Sequence, residues 1–258
     1  MLALVKYKIS SVRDKNTLQL IMGGLMNTDK KRVNESGQAY KGSQRHIQTY
    51  VNQHAEKLNE QILKSFSSLE LLNPKIIWVS PLKEKGYKEY QDEEFLEAIG
   101  LEHLHNQLKN FWPKGGPVWD ALATVEIVGN STCKEVILVE AKSHPEEIKS
   151  NCSAISSKSI DMINKSLEET KRCLGVDECI DWTKNYYQMV NRIAHLCFFH
   201  KECIPAWLVN LYFINDIKHK PTTLEEWKET LANVKKVLGI SNIKIPNTAD
   251  IFLPAIVE

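Results

Sequence analysis

Apolar residues recur at helical spacing in several segments of the chain. Ile47, Val51, Leu58 and Ile62 predict a helix that runs from an N-cap at Ser43 to about Ser65. Similar patterns predict further helices over about 92–110, 156–174, 182–200 and 223–238. The last of these opens with Thr223-Leu-Glu-Glu226, which fits a capping box.

Shorter apolar runs predict strands over about 75–79, 118–128, 134–142 and 206–214. The segment FWPKGGP at 111–117 must be a loop, because it holds two prolines and two glycines, and 129–132 is predicted as a turn. Antiparallel strands followed by long helical crossovers favour one α/β domain, in which a mixed central sheet is flanked by helices.

This single domain is expected to span residues 1–258 and to have three parts. An N-terminal arm and helix occupy 1–72, the core occupies 75–240, and 241–258 form a C-terminal extension. Within the first part, 1–41 combine an apolar start with a polar stretch, which is typical of a partly ordered arm or a short hairpin.

Composition narrows the classes of function only slightly. The 258 residues include 33 Lys and Arg against 32 Asp and Glu, so a nucleic-acid partner would require a local basic groove. No run approaches the roughly 20 apolar residues of a membrane span, which predicts no membrane association. Six cysteines at irregular spacings, without a recognisable signal peptide, predict reduced thiols and a cytoplasmic protein.

The segment Val136-Ile-Leu-Val-Glu-Ala-Lys142 carries the most informative pattern. Side chains alternate along a strand, so Glu140 and Lys142 share a face with Val136. Folding the hairpin about its turn pairs residues whose numbers sum to about 260–262, and Asp120 then lies opposite Glu140 and Lys142. Either these charges form a surface ion-pair ladder, or they lie at the rim of a covered apolar face and must pair or hold a cation.

Gly116-Pro-Val-Trp-Asp120, a hairpin and Val139-Glu-Ala-Lys142, followed by helices and a strand, resemble the PD-(D/E)xK nuclease superfamily with its restriction-endonuclease-like core. The resemblance covers about 75–240. The phrases FWPKGGPVWDALA, VEAKSHPEE and YYQMVNRIAHL are similar to a bacterial group within that superfamily. The chain departs from the motif in one respect, since Trp119 rather than proline precedes Asp120.

The resemblance implies a Mg²⁺-dependent nuclease that hydrolyses phosphodiester bonds of nucleic acid, with DNA as the expected substrate, and leaves a 5′-phosphate. It implies that Asp120, Glu140 and the Ala141 carbonyl hold Mg²⁺, for which Mn²⁺ can substitute. Lys142 would then orient or deprotonate the attacking water. A catalytically inactive protein of the same fold, which binds nucleic acid or a protein partner, is the alternative, and a homodimer is an open possibility.

The resemblance also points to further candidates near the motif. A third acidic metal ligand is expected just before the hairpin, with Glu89 and Glu93 as the alternatives. Gln188, Asn191 and Arg192 share a predicted helix and are candidates for binding nucleic acid, as is His144 beyond the motif. Each candidate also has a plainer interpretation. Glu89 and Glu93 can simply stabilise the start of a helix through its dipole. Gln188, Asn191 and Arg192 can line a solvated helix face, and His144 can be a structural hydrogen-bonding residue.

Overall fold

A computed structural model describes residues 32–72, 74–127 and 130–256 and contains a five-stranded mixed sheet. Its strands are β1 (Lys75–Ser80), β2 (Ala121–Ile127), β3 (Asn130–Lys142), β4 (Ala206–Ile214) and β5 (Thr248–Pro254). They follow one another in chain order across the sheet. β1, β2 and β3 pair antiparallel, whereas β3, β4 and β5 pair parallel, so the predicted α/β class with a mixed sheet is confirmed.

Two predictions about the strands need correction. The predicted turn over 129–132 is wrong for 130–132, because β3 begins at Asn130; positions 128 and 129 lie outside the described residues. The predicted C-terminal extension, 241–258, in fact supplies β5, which pairs with β4 along its whole length. Of the predicted N-terminal arm, 1–31 lie outside the described residues.

The described part of the chain contains eight α-helices. They are α1 (Gly42–Gln53), α2 (Ala55–Ser65), α3 (Ser67–Glu70), α4 (Asp92–Ala98), α5 (His105–Phe111), α6 (Ser157–Leu174), α7 (Tyr187–Lys201) and α8 (Leu224–Val237). None of these helices combines the length and the apolar character needed to cross a membrane. The capping box of α8 is confirmed, since Thr223 Oγ1 accepts a hydrogen bond from the Glu226 N–H and the Glu226 carboxylate accepts one from the Thr223 N–H.

Several predicted helices are shorter than their apolar patterns suggest. The helix predicted to Ser65 is interrupted at His54, and Ser43 lies inside α1 instead of capping it. The helix predicted over 92–110 is interrupted near Gly100, whose φ of +71° lies in the left-handed region. α7 begins five residues later than predicted, because the Asp181 carboxylate accepts hydrogen bonds from Thr183 and holds a turn there.

The sheet is covered on both faces, which explains the continuous apolar run in β3. Val136 and Leu138 pack on the face covered by helices α4 to α8, and Ile137 and Val139 pack on the face covered by α1, α2 and α3. All four side chains are fully buried, and each contributes about 1.5–3 kcal/mol to folding. The buried part of β3 therefore fixes the position of the charged residues at its end.

Candidate functional site

Asp120, Glu140 and Lys142 meet where β2 begins and β3 ends. Ala121 pairs with Val139, a register within the predicted range, which places Asp120 beside Glu140 on the neighbouring strand. Asp120 Oδ2 accepts a hydrogen bond of 2.7 Å from the Ala141 N–H. The structure thus brings the three predicted residues together, and Ala141 contacts Asp120 through its backbone; the metal-binding role of its carbonyl stays a prediction.

Glu140 is the centre of the ion-pair network at this site and is only 6% exposed. Its Oε1 lies 2.5 Å from Lys142 Nζ. Its Oε2 accepts a hydrogen bond of 2.7 Å from Nε of Arg192 on α7 and also lies 2.7 Å from Nη2 of the same guanidinium. Because both carboxylate oxygens face a cation, Glu140 can remain ionised although it is buried.

The surroundings of the site lower the pKa of Glu140 and raise the pKa values of Asp120 and Lys142. Burial alone would raise the pKa of Glu140, but Arg192 and Lys142 hold it below its usual value. Burial, the Glu140 charge and a smaller contribution from Glu89 raise the pKa of Asp120 to about 8. Burial would lower the pKa of Lys142, but Glu140 and Asp120 raise it, so this ammonium stays protonated at neutral pH.

Glu89 is the third carboxylate of the site. Tyr90 and Trp119 form an antiparallel bridge, which places Glu89 alongside Asp120. Gln44 Nε2 on α1 donates a hydrogen bond of 3.0 Å to Glu89 Oε1. Burial raises the pKa of Glu89, and the Glu140 charge adds to this effect.

Glu93, the other candidate for this position, lies elsewhere. Its carboxylate forms an ion pair with Lys109 on α5, and its side chain is 38% exposed. Of the two predicted alternatives, only Glu89 adjoins Asp120 and Glu140.

Helix α7 places Gln188 and Arg192 next to Lys142 and Glu140. Gln188 Oε1 accepts a hydrogen bond of 3.1 Å from Lys142 Nζ. Besides Glu140, Arg192 bonds the Val118 carbonyl and Asn191 Oδ1 and lies 5.2 Å from the centre of the Trp119 ring. Arg192 and Asn191 are both 5% exposed, so in this conformation they orient Glu140, and their predicted contact with nucleic acid stays a prediction.

His144 lies beyond the carboxylate site, two residues after the end of β3. It contacts Glu147 and His219, and its predicted role in binding nucleic acid also stays a prediction. The sequence does not predict Gln44 or His219 near these residues. Both are distant along the chain, and only the packing of α1 and of the loop after β4 brings them here.

Comparison of the chain with protein-family models, with curated proteins and with solved structures finds no match. The resemblance to the PD-(D/E)xK superfamily therefore rests on the motif residues alone.

Proposed function

We propose that the chain is a metal-dependent nuclease whose site consists of Asp120, Glu140 and Lys142, with Glu89 as the third acid. The observation that carries the proposal is an excess of carboxyl groups over cations in a largely enclosed site. Three carboxylates from separate segments face two cations, Lys142 and Arg192. Burial, with the Glu140 charge adding to it, raises the pKa values of Asp120 and Glu89. A divalent cation would favour the ionised form of both groups.

The donor atoms suit Mg²⁺ or Mn²⁺, which prefer hard carboxylate oxygens. Glu89, Asp120 and Glu140 would hold the ion, which when bound supplies Lewis acidity and lowers the pKa of water. Glu140 is kept in place by Arg192, and Asp120 is kept in place by the Ala141 N–H.

Lys142 supplies positive charge where negative charge develops on the phosphate. Two roles are predicted for Lys142, to orient the attacking water or to deprotonate it. The raised pKa keeps the proton on Nζ, so the ammonium is better suited to orienting the water and offsetting negative charge than to removing a proton from it. Gln188 accepts one ammonium hydrogen and thereby restricts the direction in which Nζ points. The expected products are a 5′-phosphate and a 3′-hydroxyl, and DNA is the substrate to test first.

One observation favours the second candidate, an inactive protein of the same fold that binds nucleic acid or a protein partner. Both oxygens of Glu140 are already engaged by Lys142 and Arg192, so the carboxylate is neutralised without an ion. A metal would have to share a carboxylate oxygen with one of these cations or displace it.

The deciding experiment is a cleavage assay on single- and double-stranded DNA and RNA with Mg²⁺ or Mn²⁺. We expect chelator-sensitive cleavage that Lys142→Ala and Asp120→Asn reduce by at least about 100-fold. Lys109→Ala, which removes an exposed lysine that also pairs with a glutamate, is the matched control and should cleave normally. Activity that survives a chelator, or an undiminished Lys142→Ala variant, would contradict the mechanism.

Calorimetry separates the two candidates if no cleavage is seen. A nuclease whose substrate has not been found should still bind Mg²⁺ or Mn²⁺, and Asp120→Asn should abolish that binding. An inert protein of this fold should show no such site.

A further inference from the structure

A second group of metal-binding side chains lies just beyond the end of β3. His144 follows the strand by two residues, Glu147 belongs to the short 3₁₀ helix Pro145–Ile148, and His219 comes from the loop between β4 and α8. One nitrogen or oxygen atom of each residue lies within 4.8 Å of the corresponding atoms of the other two. None of these residues belongs to the carboxylate site.

The orientation of Glu147 is fixed by its two oxygens. Oε2 accepts a hydrogen bond of 2.8 Å from the Ser143 N–H, and Oε1 lies 3.2 Å from His144 Nε2. The rings of His144 and His219 approach edge to face, with their centres 5.3 Å apart. The backbone of Ser143 thus supports Glu147 in the way that outer hydrogen bonds support a metal ligand.

Two buried nitrogens in this group lack a hydrogen-bond partner. They are the Nδ1 atoms of His144, which is 8% exposed, and of His219. Buried polar atoms are normally paired. Because His144 faces Glu147 through its other nitrogen, Nε2, the unpaired Nδ1 of His219 is the atom that indicates a missing partner in this group.

Gly42, the first residue of α1, leaves space beside these atoms. A Cβ atom at this position would lie 3.6 Å from His219 Nδ1 and 3.7 Å from Glu147 Oε1. Because glycine has no Cβ, that volume is open directly next to one imidazole nitrogen and one carboxylate oxygen.

We propose that His144, Glu147 and His219 bind one divalent transition-metal ion of the Zn²⁺ class. Two imidazoles and a carboxylate are a donor set that zinc uses, whereas Mg²⁺ favours oxygen ligands alone. Metal–ligand distances of about 2.0–2.2 Å place tetrahedral ligands roughly 3.3 Å apart, close to the 3.2 Å between His144 Nε2 and Glu147 Oε1. Three protein ligands leave a fourth position for water or a substrate oxygen, and the space beside Gly42 can accommodate it.

The nearby surface charges do not oppose a cation. Lys220 follows His219 directly, but its ammonium pairs with Glu146, which neutralises it. The site stands apart from the proposed nuclease function, since neither Asp120 nor Glu140 takes part in it.

The test is calorimetric titration of the metal-stripped full-length chain with Zn²⁺, accompanied by Co²⁺ absorption spectroscopy. We expect one Zn²⁺ per chain and the visible bands of Co²⁺ with nitrogen and oxygen ligands. His219→Ala and Glu147→Gln should each weaken Zn²⁺ binding by more than the roughly 10–100-fold that loss of an outer hydrogen-bond partner costs. Glu147→Gln retains an oxygen that can accept the Ser143 N–H, which limits its structural effect.

Two controls make the result specific. His103→Ala removes an exposed histidine outside the group and should leave Zn²⁺ affinity unchanged. Zn²⁺ binding should persist in Glu140→Gln, so that failure of the nuclease proposal and failure of this one are distinguishable. Absence of Zn²⁺ binding in the parent protein, or equal affinity in His219→Ala, Glu147→Gln and the parent, would overturn the proposal.

Discussion

Replacing Asp120 by asparagine should stabilise the metal-free protein, and the gain should increase with pH. Asparagine has nearly the same shape, and its side-chain oxygen can accept the Ala141 N–H that Asp120 Oδ2 accepts. The substitution therefore removes a carboxyl group that must stay protonated, or become a negative charge next to Glu140, and changes little else.

The magnitude follows from the pKa of Asp120, which rises from a usual 3.8 to about 8 in the folded protein. Between these two values the folded state retains a proton that the unfolded chain has lost. The free energy of unfolding then falls as pH rises, by up to about 1.4 kcal/mol per pH unit for one proton. Water partly reaches Asp120 and screens its charge, so we expect Asp120→Asn to gain about 1–2 kcal/mol on the parent between pH 5 and pH 7.

The assay is urea denaturation of both proteins at a series of pH values with a chelator present. Asp181→Asn is the matched control, because hydrogen bonds from Thr183 and Lys184 lower the pKa of Asp181 to about 2. That group stays ionised at every pH of the series, in the folded and the unfolded chain alike. The difference between the parent and this control should therefore not depend on pH.

Added Mg²⁺ provides a second comparison. It should stabilise the parent most at high pH, where Asp120 is ionised, and should have little effect on Asp120→Asn. A stability difference between the parent and Asp120→Asn that is constant or shrinks as pH rises would refute the reasoning.

Three shorter predictions follow from the same structure. Arg192→Ala leaves the buried Glu140 with one cation and should lower the free energy of unfolding by about 3–5 kcal/mol, whereas Arg192→Lys should lose less; urea denaturation measures both. Glu89→Gln removes a charge that raises the pKa of Asp120, so carboxyl NMR titration should find that this pKa moves down. Thr223→Ala should cost about 0.5–2 kcal/mol in thermal unfolding, because it removes the cap of α8.

Strands β1 to β4 and most of the buried helices were predictable, because their apolar residues form short runs in the strands and recur at helical spacing in the helices. The register of the β2–β3 hairpin could be predicted as well, because folding the chain about a short turn limits which residues can pair, and the observed pairing of Ala121 with Val139 lies within that range. β5 could not be predicted, since Thr248–Pro254 mixes polar and apolar residues at an edge of the sheet and includes a proline. The interruptions at His54 and Gly100 depend on single backbone conformations within otherwise helical patterns.

The candidate site could also be predicted only in part from the sequence. Asp120, Glu140 and Lys142 could be placed together from hairpin geometry alone, because neighbouring strands determine their separation. The choice between Glu89 and Glu93 depends on the bridge between Tyr90 and Trp119, which is a tertiary contact. Likewise, the pairing of Arg192 with Glu140 depends on how α7 packs against the sheet, which the pattern along the helix does not specify.

The last three residues of β3 and the two that follow them, Glu140 to His144, contact different parts of the protein one after another. Glu140 and Lys142 engage α7, whereas the intervening Ala141 is buried on the opposite face. Ser143 Oγ donates a hydrogen bond to the carboxylate of Asp216, which is also hydrogen-bonded to His46 of α1. His144 contacts Glu147. Deleting or inserting one residue here would exchange the faces and place each side chain in the surroundings of its neighbour. Variants of this protein should therefore keep the length of this segment even at positions, such as Ala141, where the residue type changes.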